Sequence, residues 1–308
     1  MARQRRYQAG TIGRRTFLEG AGSVAAAGLM IGAALPRTAA GGVTRAPLMA
    51  SAPQGASADL VNRLRTTFTF QISVDVGTIA QGLDVARASL AGGVDIVEMG
   101  TPLLKNEGVS NVVPAFRKAF PDALLLADMK TMDGGGGESR IVYTGGANII
   151  DFLALSGVDT ARAVCAVRDE FRKTDPGIAR LAFADILIPH QGPADRAVEV
   201  ALTMIEAGVD GVGVHLQADA RRADPGLIET DYLGQVARVV FEKVGDRASV
   251  QVVGGLNTDQ ARSLAQAGLR AFVVSGNLGL PDGRSRYDLP AAELQQHVAD
   301  FIAGVSAA

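Results

Sequence analysis

The chain is expected to fold as a (β/α)8 barrel. From residue 68 onward, short β-rich runs alternate with longer helical patterns. The runs number eight within roughly 240 residues, the length and count of that barrel. They are also near-continuously apolar, as strands of a parallel sheet covered by helices must be. In order they are FQISVDV (70–76), VDIVEMG (94–100), ALLLADM (123–129), NIIDFLAL (148–155), RLAFADIL (180–187), DGVGVH (210–215), SVQVVGG (249–255) and AFVVSG (271–276). Between them, stretches such as IAQGLDVARASLAGG, NVVPAFRKAF and AVEVALTMIEAG read as helices, several ending in glycine, as helix C-termini commonly do. The alternative is a doubly wound open sheet. It calls for a glycine-rich dinucleotide turn after its first strand, and DVGTIAQG lacks the G-x-G-x-x-G spacing.

The segment before the barrel has a different composition. RRYQAGTIGRRTFLEG is basic, AGSVAAAGLMIGAAL is apolar and uncharged, and PRTAAGG offers small residues near Ala40. That order is the signature of an export signal, and Arg14-Arg15 followed by Thr16-Phe17-Leu18 suits the twin-arginine type. Residues 1–40 are therefore expected to be a twin-arginine-type signal peptide. Residues 41–67 are a linker and barrel lead-in, flexible to about residue 57, and 68–308 are the catalytic barrel. The protein is expected outside the cytoplasm, touching the membrane only during export, or in the cytoplasm if the signal is not used.

With 30 basic against 32 acidic residues and a net charge of -2, no nucleic-acid-binding face is expected. The single cysteine, Cys165, excludes an intramolecular disulfide and a cysteine-rich zinc site, and its helical setting suits a buried thiol.

Chemistry in such barrels sits at the carboxyl ends of the strands. Those ends carry Asp75, Glu98, Asp128 with Lys130, Asp185 and His215, while the seventh and eighth end in Gly254-Gly255 and Gly276. A lone strand-end aspartate is more often a cap or turn residue. Acids alternating with a lysine at one rim are another matter, since each keeps the other charged. Two carboxylates there suit a divalent cation with oxygen ligands, Mg²⁺ or a relative. Glycines after the last two strands suit backbone contact with phosphate.

The segments VEMGTPLLKNEG, LLADMKTMDGG, GVDGVGVH, VVGGLN and VVSGN resemble, in order and spacing, the orotidine 5′-monophosphate decarboxylase suprafamily. Within it they most resemble the 3-hexulose-6-phosphate synthase and 3-keto-L-gulonate-6-phosphate decarboxylase branches, with GTPLLKNEG and ADMKTMD leaning to the synthase. The resemblance spans residue 68 to about 304. It implies Mg²⁺ on Glu98 and Asp128, Lys130 on the substrate oxygens, Asp75 orienting Lys130 and substrate hydroxyls, and His215 as proton shuttle. It also implies that Asp133 reaches into a neighbouring subunit's site in a homodimer, and that Gly254, Gly255 and Gly276 bind phosphate. Asn277 stands where relatives often place a phosphate-binding arginine. Arg221 and Arg222 read as a solvated helix start, with compensation for that arginine as the alternative. The glycine run after Asp133 reads as a sharply turning loop. The implied reaction is aldol addition of formaldehyde to D-ribulose 5-phosphate. The alternatives are decarboxylation of a β-keto acid sugar phosphate, or a repurposed exported barrel that binds a sugar or anion without catalysis.

Overall fold

The structure, a computed structural model, describes residues 55–274 and 285–307. All eight expected strands form: β1 (Thr69–Val74), β2 (Ile96–Met99), β3 (Leu124–Thr131), β4 (Ile149–Leu153), β5 (Leu181–Ile188), β6 (Gly211–Leu216), β7 (Ser249–Val253) and β8 (Ala271–Val274). They pair in parallel, in sequence order, and β8 returns to β1 to close the barrel. The helices are α1 (Ala56–Thr66), α2 (Ile79–Ala91), α3 (Thr101–Glu107), α4 (Val109–Ala119), α5 (Gly135–Thr144), α6 (Val158–Thr174) and α7 (Ala194–Glu206). They continue as α8 (Ala218–Ala223), α9 (Gly226–Glu229), α10 (Tyr232–Val244), α11 (Thr258–Gln266) and α12 (Ala291–Ser306). Among the described residues no helix is long and apolar enough to cross a membrane. The expected signal at 1–40, and Gly276 and Asn277, lie outside the described residues.

Side-chain alternation along the strands divides the core in two. One set, including Ile72, Val74, Val97, Met99, Leu125, Ala127, Ile150 and Phe152, packs outward under the helices. The other points inward, and at its lower end Ile96, Leu126, Ile149, Leu181 and Phe183 meet Leu60 and Leu64 of α1. The lead-in is thus partly structural. Its helix begins at Ala56, and Ser57, expected in the flexible part, is buried: its Oγ accepts from the Arg180 N–H at 3.0 Å. Leu60 and Leu64 lie four apart, so one face of α1 covers the barrel's lower opening.

A polar clamp recurs at that lower end. The Phe70 N–H donates to Asp95 Oδ2 at 2.9 Å, the Leu125 N–H to Asn148 Oδ1 at 3.0 Å, and the Ala182 N–H to Asp210 Oδ2 at 2.9 Å. Each acceptor residue immediately precedes an even-numbered strand and reaches back to the odd-numbered one before it. Each is also held by arginine: Arg63 of α1 on Asp95, Arg117 of α4 on Asn148, and Arg168 with Arg172 of α6 on Asp210. Before β8 the corresponding residue is Arg270, and the series stops. Cys165 lies in α6 beside Arg168, buried as expected, and burial pushes its thiol up to about 11.

The glycine run differs from the expected loop. Only Gly134 turns, with φ at 70°, and the next three glycines open α5. A Cβ on Gly135 would stand 2.8 Å from side-chain carbons of Thr160 and Val164, so its bare backbone lets α5 lie directly on α6. At Gly137 nothing lies within 4 Å, and the structure gives no reason for glycine there.

Candidate active site

At the carboxyl ends of the strands the barrel opens into a cavity of about 510 Å³. Its wall includes Asp75 after β1, Glu98 of β2, Asp128 and Lys130 of β3, His215 of β6, and Gly254 and Gly255 after β7. Of the remaining residues expected at the site, Asp133 is exposed outside this wall, its Oδ1 accepting from the Gly134 N–H at 2.7 Å. His190, in the connection after β5, is likewise exposed and outside it.

Lys130 is aimed by a break in its strand. The register of β3 on β4 shifts between Asp128 and Thr131, and Lys130 takes φ 48°, in the left-handed region. That conformation costs an L-residue roughly 1–2 kcal/mol. The ammonium then sits 2.6 Å from Asp128 Oδ1 and 3.0 Å from Asp185 Oδ2. Burial would lower the Lys130 pKa, but Asp185, Asp128, Asp151 and Glu98 outweigh it and hold the ammonium charged, well above its usual range.

Asp185 is the hub. Its Oδ2 meets Lys130 and also lies 2.7 Å from His215 Nδ1. Burial pushes this carboxyl up, yet Lys130 and His215 prevail and hold it well below the usual carboxylate range. An ionised carboxylate only accepts, so Nδ1 carries the hydrogen and Nε2 is left for a ligand. Space for Asp185 comes from Gly213 on β6, where a Cβ would collide with Asp185 Oδ1. Gly100 does the same for Asp75 Oδ1.

Two further residues complete the cluster, and sequence reasoning gave neither a role. Thr101, at the start of α3, reaches Asp128 with its Oγ1, 2.8 Å from Oδ2 and 2.9 Å from the main-chain oxygen. Asp151, the register partner of Asp128 on β4, is buried with Oδ1 lacking a hydrogen-bond partner. Burial first, then the charge of Asp185, raises its carboxyl well above the usual range. The available signal was one charge inside the otherwise apolar run NIIDFLAL.

The donor set fits a hard divalent cation at Glu98 and Asp128. A buried chain runs from Gln251 Nε2 to Gln71 Oε1 at 2.7 Å, then from Gln71 Nε2 to Glu98 Oε2 at 2.6 Å. This fixes one oxygen of Glu98 while the residue lines the cavity. Burial, then the charges of Asp128 and Asp75, pushes the Glu98 carboxyl well up. Burial, then Asp128, raises Asp75 as well. Three crowded carboxylates with only oxygen donors are what Mg²⁺ would relieve. Asp128, Asp151 and Asp185 also approach within 4.8 Å of one another, but Lys130 already bonds two of them and serves as their cation.

Residues 69–278 match the orotidine 5′-phosphate decarboxylase / HUMPS family model. The chain is 32% identical over 208 residues to the 3-hexulose-6-phosphate synthase of Mycobacterium gastri, covering 67% of this chain and 89% of that protein. It is 28% identical over 209 residues to a 3-keto-L-gulonate-6-phosphate decarboxylase of Escherichia fergusonii, covering 68% of this chain and 87% of that one. A crystal structure of 3-hexulose-6-phosphate synthase superposes with a TM-score of 0.60 at 26% identity, over 76% of this chain and 99% of the other.

Proposed function

The chain belongs to the orotidine 5′-phosphate decarboxylase / HUMPS family and is an enzyme of the lyase class; on that premise we propose that it is a Mg²⁺-dependent aldolase of the 3-hexulose-6-phosphate synthase type. It joins formaldehyde to D-ribulose 5-phosphate, or runs in reverse. The observation that carries this reading is the meeting of Lys130 and His215, both in the cavity wall, on one oxygen of the buried Asp185. Bond formation beside a ketone passes through an enediolate, whose charge must be stabilised and whose protons must be moved. Lys130 is a fixed positive charge for the enediolate oxygens, with no reorganisation needed at the moment of reaction. His215, oriented through Nδ1, has Nε2 free to take the proton from the carbon beside the ketone. It can return that proton to the alkoxide left when formaldehyde has added. Thr101 holds Asp128 in place through its Oγ1, and Asp75 lines the same cavity, where it would orient substrate hydroxyls. Glu98 and Asp128 would hold Mg²⁺, which supplies Lewis-acid stabilisation of the same developing charge.

Decarboxylation of a β-keto acid sugar phosphate would leave the same enediolate, and the likeness to the decarboxylase of E. fergusonii keeps this as the second reading. Two subsidiary proposals accompany the first. Asp133 is exposed beside Met132, and Leu155 after β4 is exposed too, which suits a homodimer in which Asp133 completes the partner's site. Residues 1–40 direct export by the twin-arginine route, a reading that N-terminal sequencing of exported protein would check.

The test uses the chain from Gly55 onward with Mg²⁺, ribulose 5-phosphate and ¹³C-formaldehyde, followed by NMR. A hexulose carbon signal abolished by EDTA and by Lys130→Ala is expected. Absence of that signal from folded, Mg²⁺-binding protein refutes the aldolase reading, and release of CO₂ from a β-keto sugar acid phosphate then establishes the second.

A further inference from the structure

The cavity changes character away from its carboxylates. Its far wall is formed by Gly254 and Gly255 after β7, Val274 at the end of β8, and α8, which carries two consecutive arginines. The two are not equivalent. Arg222 is exposed and donates through Nη1 to Asp219 Oδ1 at 2.9 Å, an i,i+3 surface pair. Arg221 is half-buried, and among the described residues the one hydrogen bond of its side chain is from Nη1 to the Gly254 carbonyl, at a long 3.5 Å. No carboxylate of the described residues pairs with it. Loss of solvent, then the neighbouring Arg222, lowers its pKa, yet a guanidinium keeps its charge. This wall therefore holds an uncompensated cation with most of its N–H fork unengaged.

The turn beside it is shaped to receive a ligand closely. Gly254 and Gly255 take φ of 123° and 83°, and a Cβ on Gly254 would stand 2.8 Å from Leu216. The turn after β7 thus lies directly on the end of β6, from which α8 departs. One end of the cavity bears Asp75, Glu98 and Asp128, and an anion is repelled there; the other bears Arg221, the mutually paired Arg222 and Asp219, and bare backbone. We propose that Arg221 is the phosphate-binding side chain of this enzyme, taking the substrate's dianionic end from the β6 side against the Gly254–Gly255 turn. This rests on the reading of the substrate as a sugar phosphate. It assigns to α8 the role that an arginine after β8 has in relatives, where this chain has Asn277. Arginine is suited to it, because its planar fork binds phosphate through two parallel bonds.

The test measures inorganic phosphate binding to the full chain by calorimetry, and kcat/KM for ribulose 5-phosphate and for unphosphorylated ribulose. Arg221→Ala should weaken phosphate binding by roughly 30- to 100-fold and lower kcat/KM for ribulose 5-phosphate at least as much. It should lower ribulose turnover far less and leave thermal stability unchanged. Arg221→Lys should recover part of the loss, and Arg222→Ala should stay within about twofold of wild type. Wild-type phosphate affinity in Arg221→Ala, an equal loss in Arg222→Ala, or no phosphate binding by the wild type would each overturn the assignment. The two proposals separate cleanly. Phosphate binding lost in Arg221→Ala, with no turnover of ribulose 5-phosphate by the wild type, sinks the aldolase reading and keeps Arg221. Turnover with Arg221→Ala unaffected does the reverse.

Discussion

Replacing Asp185 by Asn removes the charge that joins Lys130 to His215 while leaving a side chain of nearly the same size. The carboxylate is 1% exposed and makes two charge-assisted contacts through Oδ2, at 3.0 Å to Lys130 and 2.7 Å to His215. Such contacts are worth about 1.5–3 kcal/mol each, and burial leaves little solvent to screen them. A loss of about 3–5 kcal/mol of transition-state stabilisation is therefore expected, or about 10²- to 10⁴-fold in kcat/KM at 1.36 kcal/mol per decade. The assay is turnover of ribulose 5-phosphate with formaldehyde, alongside thermal unfolding to confirm the fold. If Asp185 acts through His215, the double variant Asp185→Asn/His215→Asn should cost little more than the worse single one, because groups acting as a unit are not additive. Activity within threefold of wild type, from a folded Asp185→Asn protein, would refute the hub. The sign of the pH effect follows too. A carboxyl held below its unfolded value stabilises the fold above about pH 4, and that contribution is lost as pH falls through the folded value. The variant should lack this part of the acid-side slope.

Asp151 has the opposite sign: its carboxyl is raised, so its burial costs more as pH climbs past the unfolded value near 4. Urea unfolding at pH 5 and pH 8 should show Asp151→Asn gaining on wild type at the higher pH. Mg²⁺ at about a hundredfold its Kd should stabilise the wild type by about 2.7 kcal/mol at pH 7.5, and Glu98→Gln should lose most of that thermal shift. Gly213→Ala should destabilise by about 1–3 kcal/mol and abolish activity, since the new methyl displaces the Asp185 carboxylate, whereas Gly137→Ala has open space and should fold at least as well. Leu64→Ala, at the seat of α1, should cost about 2–5 kcal/mol in denaturant unfolding.

The barrel was legible because buried parallel strands write themselves as apolar runs, and each of the eight runs overlaps an observed strand. The acids, the lysine and the histidine were legible as interruptions at the ends of those runs. What escaped depends on geometry that periodicity does not carry. The bulge that turns Lys130 into the left-handed region leaves no mark beyond a strand longer than its neighbours. Asp151 sits two residues before the end of β4, where an apolar strand hides a single charge. Thr101 opens α3, and nothing in the sequence marks that its hydroxyl also reaches across to β3. Arg221 and Arg222 are indistinguishable in sequence; both line the cavity, and only burial and the pairing of Arg222 with Asp219 separate them. The glycines after Asp133 suggested a loop because glycine disfavours helices, but contact with α6 overrides that preference at Gly135.

The clamp at the lower end bears on how such a chain can be cut and joined. Each copy is complete within one continuous stretch: α1 to the start of β2, α4 to the start of β4, α6 to the start of β6. The connections between stretches carry chain but no clamp. New termini placed just before α4 or α6 would leave every copy whole, whereas a break between an arginine and its acceptor would split one. The same regularity is what tandem duplication of a two-strand gene segment would leave behind. On that view α1 is no appendage but the opening helix of the first repeat, and the rim, where Lys130 and His215 each occur on one strand only, is where the repeats diverged.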